Sequence, residues 1–264
     1  MIFLKTEDEI ELMRAANLLV ASTLAEIAKN IREGVTTRQL DSLAEEFIRD
    51  HGAVPTFKGF PNPFGAPFPA SICASVNDEV VHGIPNDRPL QTGDIVSVDC
   101  GARLGGYNGD SCYTFCVGNV SEKVKFLLRT TKEALYRGID AALAGKRIGD
   151  ISHAVQHHCE AKGLGVVKEF VGHGIGKDMH EEPQVPNYGR KGEGPLIENG
   201  LCIAIEPMIT LGSPKIGMMP DKWTVKTLDG KYAAHFEHTV AVHHGKADIL
   251  SSFEEIEKIE GILY

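Results

Sequence analysis

Two acidic residues flank a predicted β-hairpin between positions 93 and 110. Apolar residues, mostly β-branched, lead into Asp99, a Gly-rich turn follows at 104–106, and Asp110 lies on the returning strand. An ionised carboxylate is costly at such apolar positions unless a positive group neutralises it. For a single aspartate, a solvated edge strand would be the ordinary explanation. Two carboxylates on one hairpin favour a bound metal cation instead.

The second half of the chain repeats this pattern. Gly93 precedes Asp99 by six residues, and Gly200 precedes Glu206 by the same six. Glu237 lies in HFEHTVAV, where the alternation of apolar and polar residues again predicts a strand. We therefore expect four carboxylates from two related hairpins to converge. Such a cluster predicts a cation site, because four unneutralised acids could not share a core.

An imidazole completes the predicted site. His173, in the turn VGHGIG, is the best-placed candidate. Mixed oxygen and nitrogen ligation suits Mn, Fe, Co or Zn, and no thiolate pattern indicates a closed structural zinc site. Paired cations lower the pKa of a water molecule and polarise a carbonyl. The predicted reaction class is therefore hydrolysis of an amide, an ester or a phosphoester.

The other histidines divide into two groups. His82 follows a predicted strand, and His180 lies seven residues beyond His173. Each could stabilise a developing oxyanion or handle a proton, whereas an inert surface histidine is the alternative. His153 and His157 are interpreted as a polar helix face, with an i,i+4 metal pair as the alternative. His238 is interpreted as a structural histidine, and His243 and His244 are interpreted as solvated residues.

Helices are predicted to flank these strands. Capping boxes at Thr6 and Thr36 begin two helices, the first over 7–32 and the second ending at 51–52. Ser121 begins a third, which ends at Gly145, and a fourth ends at Gly163. Between the second helix and the hairpin, the Pro-, Gly- and Phe-rich segment 55–73 is predicted to be a loop whose aromatic side chains could wall a pocket or pack on the core.

An internal duplication accounts for this order of elements. Eighteen residues separate Gly34 from Gly52 and Gly145 from Gly163, and a His-Gly-Ile triplet follows each interval. We predict repeats over roughly 7–120 and 121–243 within one catalytic domain, 1–264. The expected fold is α+β, with two pseudo-twofold-related halves and a curved antiparallel sheet covered by helices.

Composition narrows the classes of function. The chain has 264 residues, 42% hydrophobic content and a formal net charge of −9, without runs of Lys or Arg. These values disfavour a general nucleic-acid or membrane-surface binder. No signal-peptide core or membrane-spanning run is present in the sequence, so a cytoplasmic location is expected. The six cysteines lie mostly in apolar runs and are predicted to be free, buried thiols.

Six segments together resemble the type I methionine aminopeptidases of metallopeptidase family M24, in the same order and at similar spacings. They are VVHGIP, SVDCG with YNGD, VGHGIGKDMHEEPQV, IAIEPM, DKWTVKT and FEHTVAV. The resemblance is to bacterial members, without a Cys/His-rich N-terminal extension. It implies the pita-bread fold and removal of initiator methionine from nascent chains whose second residue is small. It further implies transient proximity to the ribosome and a monomer.

The resemblance also implies roles for individual residues. Five residues would ligate two divalent cations, with Co, Mn, Fe or Zn as candidates: Asp99, Asp110, His173, Glu206 and Glu237. Asp110 and Glu237 would bridge the two cations, and Glu206 would also shuttle a proton. His180 would assist the scissile carbonyl, and His82 would contact the scissile amide.

A pocket for the methionine side chain is implied by the same resemblance. Its walls would be Phe68, Cys73, Met179 and Trp223. The chain departs from the family pattern at four places. Met179 and Ala204 differ from the residues often seen there, His235 replaces an expected glutamine, and the stretch 61–67 is longer, which leaves open whether Phe57 or Phe60 reaches the pocket.

Three other functions compete with this interpretation. A proline-directed peptidase of the same fold would carry a large additional N-terminal domain, for which the sequence has no room. A non-catalytic binding protein with the same fold would be expected to have lost ligand residues, and all five are present. A dinuclear phosphoesterase would need a Gly-rich phosphate loop or an Arg clamp near the acids, and the sequence shows neither.

Overall fold

Four long helices and a central sheet form the framework of the molecule, which we describe over residues 1–261 of a computed structural model. The helices are α1 (Glu7–Ala28), α2 (Thr37–Asp50), α3 (Glu122–Ala141), α4 (Ile148–Glu160) and a short α5 (Glu254–Glu260). The strands are β1 (Val54–Pro55), β2 (Ile72–Val76), β3 (Glu79–Val81), β4 (Ile95–Leu104), β5 (Tyr107–Cys116), β6 (Gly165–Val166), β7 (Gly172–Gly174), β8 (Glu181–Val185), β9 (Cys202–Ile205), β10 (Met208–Thr210), β11 (Ile216–Met218), β12 (Val225–Thr227), β13 (Ala233–His235), β14 (Glu237–Val242) and β15 (Ala247–Ile249).

The first two helices begin where their capping boxes predict. The hydroxyls of Thr6 and Thr36 accept hydrogen bonds from the backbone N–H groups of Glu9 and Gln39, whose side chains bond back to the caps. Helix α1 ends at Ala28, short of the predicted residue 32, because the chain tightens there into i,i+3 hydrogen bonds. Helix α3 likewise ends before Gly145.

The central sheet brings the two acidic hairpins side by side. Its path is β1-β4-β5-β14-β9-β7-β8, with β2 on β4 and β15 on β14, and every pair is antiparallel. Strand β5 from the first half therefore lies directly against β14 from the second, with Glu237 opposite Cys112. Two small sheets, β13-β10-β6 and β11-β12-β3, complete the fold.

Helices cover the sheet at close range. A Cβ placed on Gly109 of β5 would lie 2.6 Å from the backbone of Ala16 in α1. On α3, Gly138 leaves room for Val155 of α4 and Ile205 of β9. Only glycine allows the approach at Gly109, whereas a Cβ at Gly138 would lie 3.1 Å from two side-chain methyl groups and would need a small shift of either one.

The cysteines agree with the sequence prediction. All six cysteines are free and buried, including Cys112 and Cys116 on β5. Among the described residues, none of the helices combines the length and the apolar character that a membrane crossing requires.

Candidate metal centre

The predicted ligands come from five different strands or strand ends. Asp99 lies in the middle of β4, and Asp110 lies on β5. Glu206 follows β9 immediately, Glu237 begins β14, and His173 is the central residue of β7. Because β4, β5, β14, β9 and β7 are successive neighbours in one sheet, these side chains meet on one curved surface.

The ligand atoms are close enough to share a cation. Nε2 of His173 lies 3.7 Å from Oδ2 of Asp110 and 3.6 Å from Oε1 of Glu206. One ligand atom each from Asp110, His173 and Glu237 can be chosen so that all three lie within 4.8 Å of one another, the one such group found among the described residues. A single ion could therefore contact three donors at once.

The carboxylates at the site lack the positive charge that would neutralise them. Oδ1 of Asp99, Oδ1 of Asp110 and Oε1 of Glu237 have no hydrogen-bond partner in the part of the chain that the structure describes. Burial raises the pKa of Asp99 to about 7. Burial, reinforced by the neighbouring carboxylates, also raises the pKa values of Asp110, Glu206 and Glu237 well above their usual range. Divalent cations would neutralise this charge and satisfy the unpaired oxygens, so the residues fit a metal centre.

His173 is prepared to act as a ligand through Nε2. Its Nδ1 lies 2.9 Å from the carbonyl oxygen of Gly174, which assigns the proton to Nδ1 and leaves a lone pair on Nε2. Burial, with a smaller effect of His180, lowers the pKa of His173 to about 3. The neutral imidazole is the form that binds metals.

A cavity of about 490 Å³ opens above the carboxylates. Its apolar wall contains four phenylalanines, a cysteine and a tryptophan: Phe57, Phe60, Phe68, Phe170, Cys73 and Trp223. The structure thus places Phe68, Cys73 and Trp223 around the cavity and shows that both Phe57 and Phe60 reach it.

Met179 is the exception among the predicted wall residues. It does not line the cavity but packs in an apolar cluster behind the wall, against Phe57 and Phe60. A Cβ on Gly101 would lie 2.8 Å from the Phe57 ring and 2.9 Å from the Met179 methyl group. Phe57 and Phe60 line the cavity where Met179 does not, and a role for Met179 in the methionine pocket stays a prediction.

His82 and His180 both line the cavity. The His82 ring makes edge contacts with Phe170 and Trp223, at centroid distances of 5.3 and 6.1 Å. Burial lowers the pKa of His82 to about 4, and burial also lowers the pKa of His180. The His180 ring stands perpendicular to His173 at 4.4 Å. Both rings are therefore neutral hydrogen-bonding groups in this environment, not cations.

The loop 61–67 is fastened to the turn that carries Trp223. The indole Nε1–H of Trp223 donates to the carbonyl oxygen of Ala66 at 2.9 Å. The side-chain amide of Asn62 donates to the carbonyl oxygen of Lys222 at 3.0 Å. These bonds tie the loop to that turn, while the residues that line the cavity are Phe60 and Phe68 on either side of the loop and Trp223 itself.

Asn17 is a supporting residue that sequence reasoning missed. It lies on α1 among buried apolar residues, and its Oδ1 accepts the backbone N–H of Asp110 at 3.1 Å. Its amide also donates to the carbonyl oxygen of Met13 at 2.9 Å. The signal was an amide within an otherwise apolar stripe, which predicts a buried hydrogen bond.

His238, His153 and His157 lie outside the cavity. His238 is buried, its Nδ1 lies 2.6 Å from the hydroxyl of Ser251, and its ring stacks on Phe253. The prediction of a structural histidine is confirmed. His153 and His157 lie one turn apart on α4 with ring centroids 5.6 Å apart, on a surface separate from the carboxylates.

Comparison with known proteins agrees with this geometry. The sequence pattern of "Metallopeptidase family M24" matches residues 11–244. The chain is 49% identical to methionine aminopeptidase of Clostridium acetobutylicum, covering 96% of this chain and 100% of that protein. It is also 49% identical to methionine aminopeptidase 1 of Bacillus subtilis, covering 95% and 99%.

Solved structures give the same result for the fold. A crystal structure of methionine aminopeptidase from Thermotoga maritima superposes with a TM-score of 0.92 at 41% identity, covering 96% of this chain and 100% of that one. Prolidase from Pyrococcus furiosus, at 22% identity and a TM-score of 0.74, shares the fold alone over 94% of this chain and 65% of its own. The predicted α+β pita-bread fold is confirmed.

Proposed function

The chain belongs to metallopeptidase family M24 and, within it, to the methionine aminopeptidases, and we propose that it removes initiator methionine from nascent proteins and peptides whose second residue is small. One observation carries the proposal. Two buried carboxylates, two partly buried carboxylates and a neutral imidazole converge at the base of a cavity of about 490 Å³ with an apolar wall. The base suits a hydrolytic metal centre, and the wall suits an unbranched apolar side chain.

The proposed ligands of two divalent cations are the five residues at the base of the cavity. Asp110 and Glu237 lie on the adjacent strands β5 and β14, which supports a role for both in bridging the two cations. The oxygen and nitrogen donor set suits Co, Mn, Fe or Zn. When bound, such cations supply a nucleophile at neutral pH and polarise a carbonyl.

Glu206 is the proposed proton carrier. Burial and the charge of Asp99 raise its pKa well above the usual range for a glutamate. A carboxylate with a raised pKa accepts a proton near neutral pH and can then deliver it to the leaving amine. Its position at the cavity base, 3.6 Å from Nε2 of His173, places it beside the cation site.

His180 and His82 are proposed to handle the scissile peptide. His180 lies against His173, so it can reach a carbonyl oxygen held at the metal centre. His82 lies further up the wall between Phe170 and Trp223, where it can contact the scissile amide. Both rings are neutral and so offer a hydrogen bond without adding a charge.

The methionine side chain is proposed to lie among Phe68, Cys73 and Trp223, with Phe57 and Phe60 extending the same wall. Phe68 and Cys73 are 2% and 5% exposed, and the Phe68 and Trp223 rings are in edge contact at 5.1 Å. A thioether packs well against aromatic edges. Met179 supports this wall from behind.

The proposed substrate also suggests where the protein works. Initiator methionine is removed from chains that are still emerging from the ribosome, so we propose a cytoplasmic location and transient proximity to ribosomes. We also propose that the protein is a monomer. Neither a specific nucleic acid nor a membrane is a proposed partner.

Peptide hydrolysis with defined metals tests the proposal. Metal-free protein, resupplied separately with Mn, Co, Fe or Zn, is incubated with Met-Ala-Ser and Ala-Pro-Ser peptides. We expect free methionine only when metal is present and no release of alanine from Ala-Pro-Ser. Release of alanine from Ala-Pro-Ser instead would favour the proline-directed alternative. No release from any peptide by folded, metal-supplied protein would favour a binding protein.

A substitution at Glu206 separates chemistry from folding. We expect Glu206→Gln to lower turnover by about 10²–10⁴-fold or more while the circular dichroism spectrum is retained. Glu198→Gln is the matched control, because Glu198 is an exposed glutamate just before β9. Turnover by Glu206→Gln equal to that of the control would contradict the assigned role.

A further inference from the structure

The backbone of His235 is held tightly at the cavity wall. His235 ends β13, where its N–H donates to the hydroxyl oxygen of Thr114 at 3.1 Å. The same hydroxyl donates to the carbonyl oxygen of His235 at 2.7 Å. The residue is 2% exposed, and its side chain lines the cavity. The imidazole therefore projects into the cavity from a fixed base.

The Nε2 atom of His235 has no conventional partner. It is buried, and no hydrogen-bond partner for it is found among residues 1–261. The nearby carboxylate oxygen is Oε2 of Glu206, at 3.6 Å. An unpaired polar atom in such a place is costly, so its retention calls for a functional explanation.

Glu206 lies between two imidazoles. Its Oε1 faces Nε2 of His173 at 3.6 Å, and its Oε2 faces Nε2 of His235 at the same distance. His173 already carries its proton on Nδ1, so its Nε2 is an acceptor and cannot orient the carboxylate by donating. The donor that can fix the carboxylate plane is therefore on the other side, at His235.

We propose that His235 is a positioning residue, whose neutral ring donates Nε2–H to Oε2 of Glu206 and thereby turns Oε1 toward the cation site. The part of this proposal that is tested by turnover rests on the proposed function. A 3.6 Å separation is longer than a hydrogen bond, and such contacts shorten when a metal and substrate draw the carboxylate into its working position. The glutamine expected from the family pattern would offer a neutral donor too, so the role depends on the donor more than on the ring.

Metal affinity and turnover, measured on three variants, test this role. His235→Leu removes the donor at similar volume, His235→Gln restores a donor, and His51→Leu is a control at an exposed histidine outside the cavity. Mn²⁺ is titrated into metal-free protein by calorimetry, and kcat and KM are measured with Met-Ala-Ser. Circular dichroism checks folding, and His235→Met replaces the leucine variant if that variant does not fold.

We expect His235→Leu to weaken Mn²⁺ binding by about 10–100-fold and to lower kcat by a similar factor, with a small change in KM. His235→Gln should recover most of both losses, and His51→Leu should match the wild type. Wild-type Mn²⁺ affinity and kcat in His235→Leu would overturn the proposal. So would equal losses in the leucine and glutamine variants, because ring packing would then be the cause.

The two readouts keep the two proposals apart. If the wild-type protein releases no methionine from any peptide, the proposed function fails, but the Mn²⁺ affinities of the variants still measure how His235 acts on Glu206. If the wild type is active and the affinities do not change, only the role of His235 fails.

Discussion

Removing metal should make the contribution of the cavity's carboxylates to the stability of this protein fall as pH rises. Without cations, the cavity must hold four carboxylates whose ionised forms burial disfavours. At low pH these groups are protonated and the folded state tolerates them. As pH rises, the unfolded chain ionises them freely, whereas the folded protein must either keep its protons or bear buried charges.

The sign and size follow from Asp99. Burial raises its pKa from the usual 3.8 to about 7, so between these pH values the folded state binds more protons than the unfolded state. Unfolding free energy therefore decreases with rising pH across this window and levels off, for this residue, above pH 7. At about 1.4 kcal/mol per pKa unit, the full loss is about 4 kcal/mol. For a chain of this size, that corresponds to a fall of roughly 8–16 °C in melting temperature.

The assay is thermal unfolding of metal-free protein at pH 5, 6, 7 and 8, at constant ionic strength, with and without added Mn²⁺. Metal should raise the melting temperature more at pH 8 than at pH 5, because the ligands must lose their protons to bind. Asp99→Asn should show a smaller fall with pH, whereas Asp50→Asn, at an exposed aspartate, should behave as the wild type. An equal change of the metal-free melting temperature from pH 5 to 7 in Asp99→Asn and in the wild type would refute the reasoning. The buried histidines, whose lowered pKa values act in the opposite direction below about pH 6.5, contribute equally to both proteins.

Two further predictions concern the framework around the site. Gly109→Ala should destabilise the fold by about 1–3 kcal/mol, because the new Cβ would lie 2.6 Å from the backbone of α1; an unchanged urea midpoint would contradict this. Trp223→Phe removes the hydrogen bond to Ala66, worth about 1 kcal/mol, and should raise KM for Met-Ala-Ser by about fivefold with little change in kcat. A fall in kcat at constant KM would place Trp223 in the chemistry instead of in the wall.

Local patterns predicted the framework well. Helix starts were read from capping boxes, because the donor and acceptor of a cap lie three residues apart in the sequence. The hairpins were read from the alternation of residues and their turn glycines, and β5 meets β14 as the repeat predicts. Helix ends were less accurate, since α1 and α3 both end earlier than their stop glycines. The repeat boundaries and the single domain 1–264 stay predictions.

The residue types and spacings alone indicated an acidic metal site, because several ionised carboxylates at the ends of apolar strands destabilise the fold unless a cation neutralises them. Which side chains face the cavity was decided only by the tertiary structure. Phe57 and Phe60 stand in front of Met179, Asn17 reaches Asp110 across 93 positions, and His235 points at Glu206. Each of these depends on where a side chain from one segment lies against a distant one, and periodicity within a segment carries no such information.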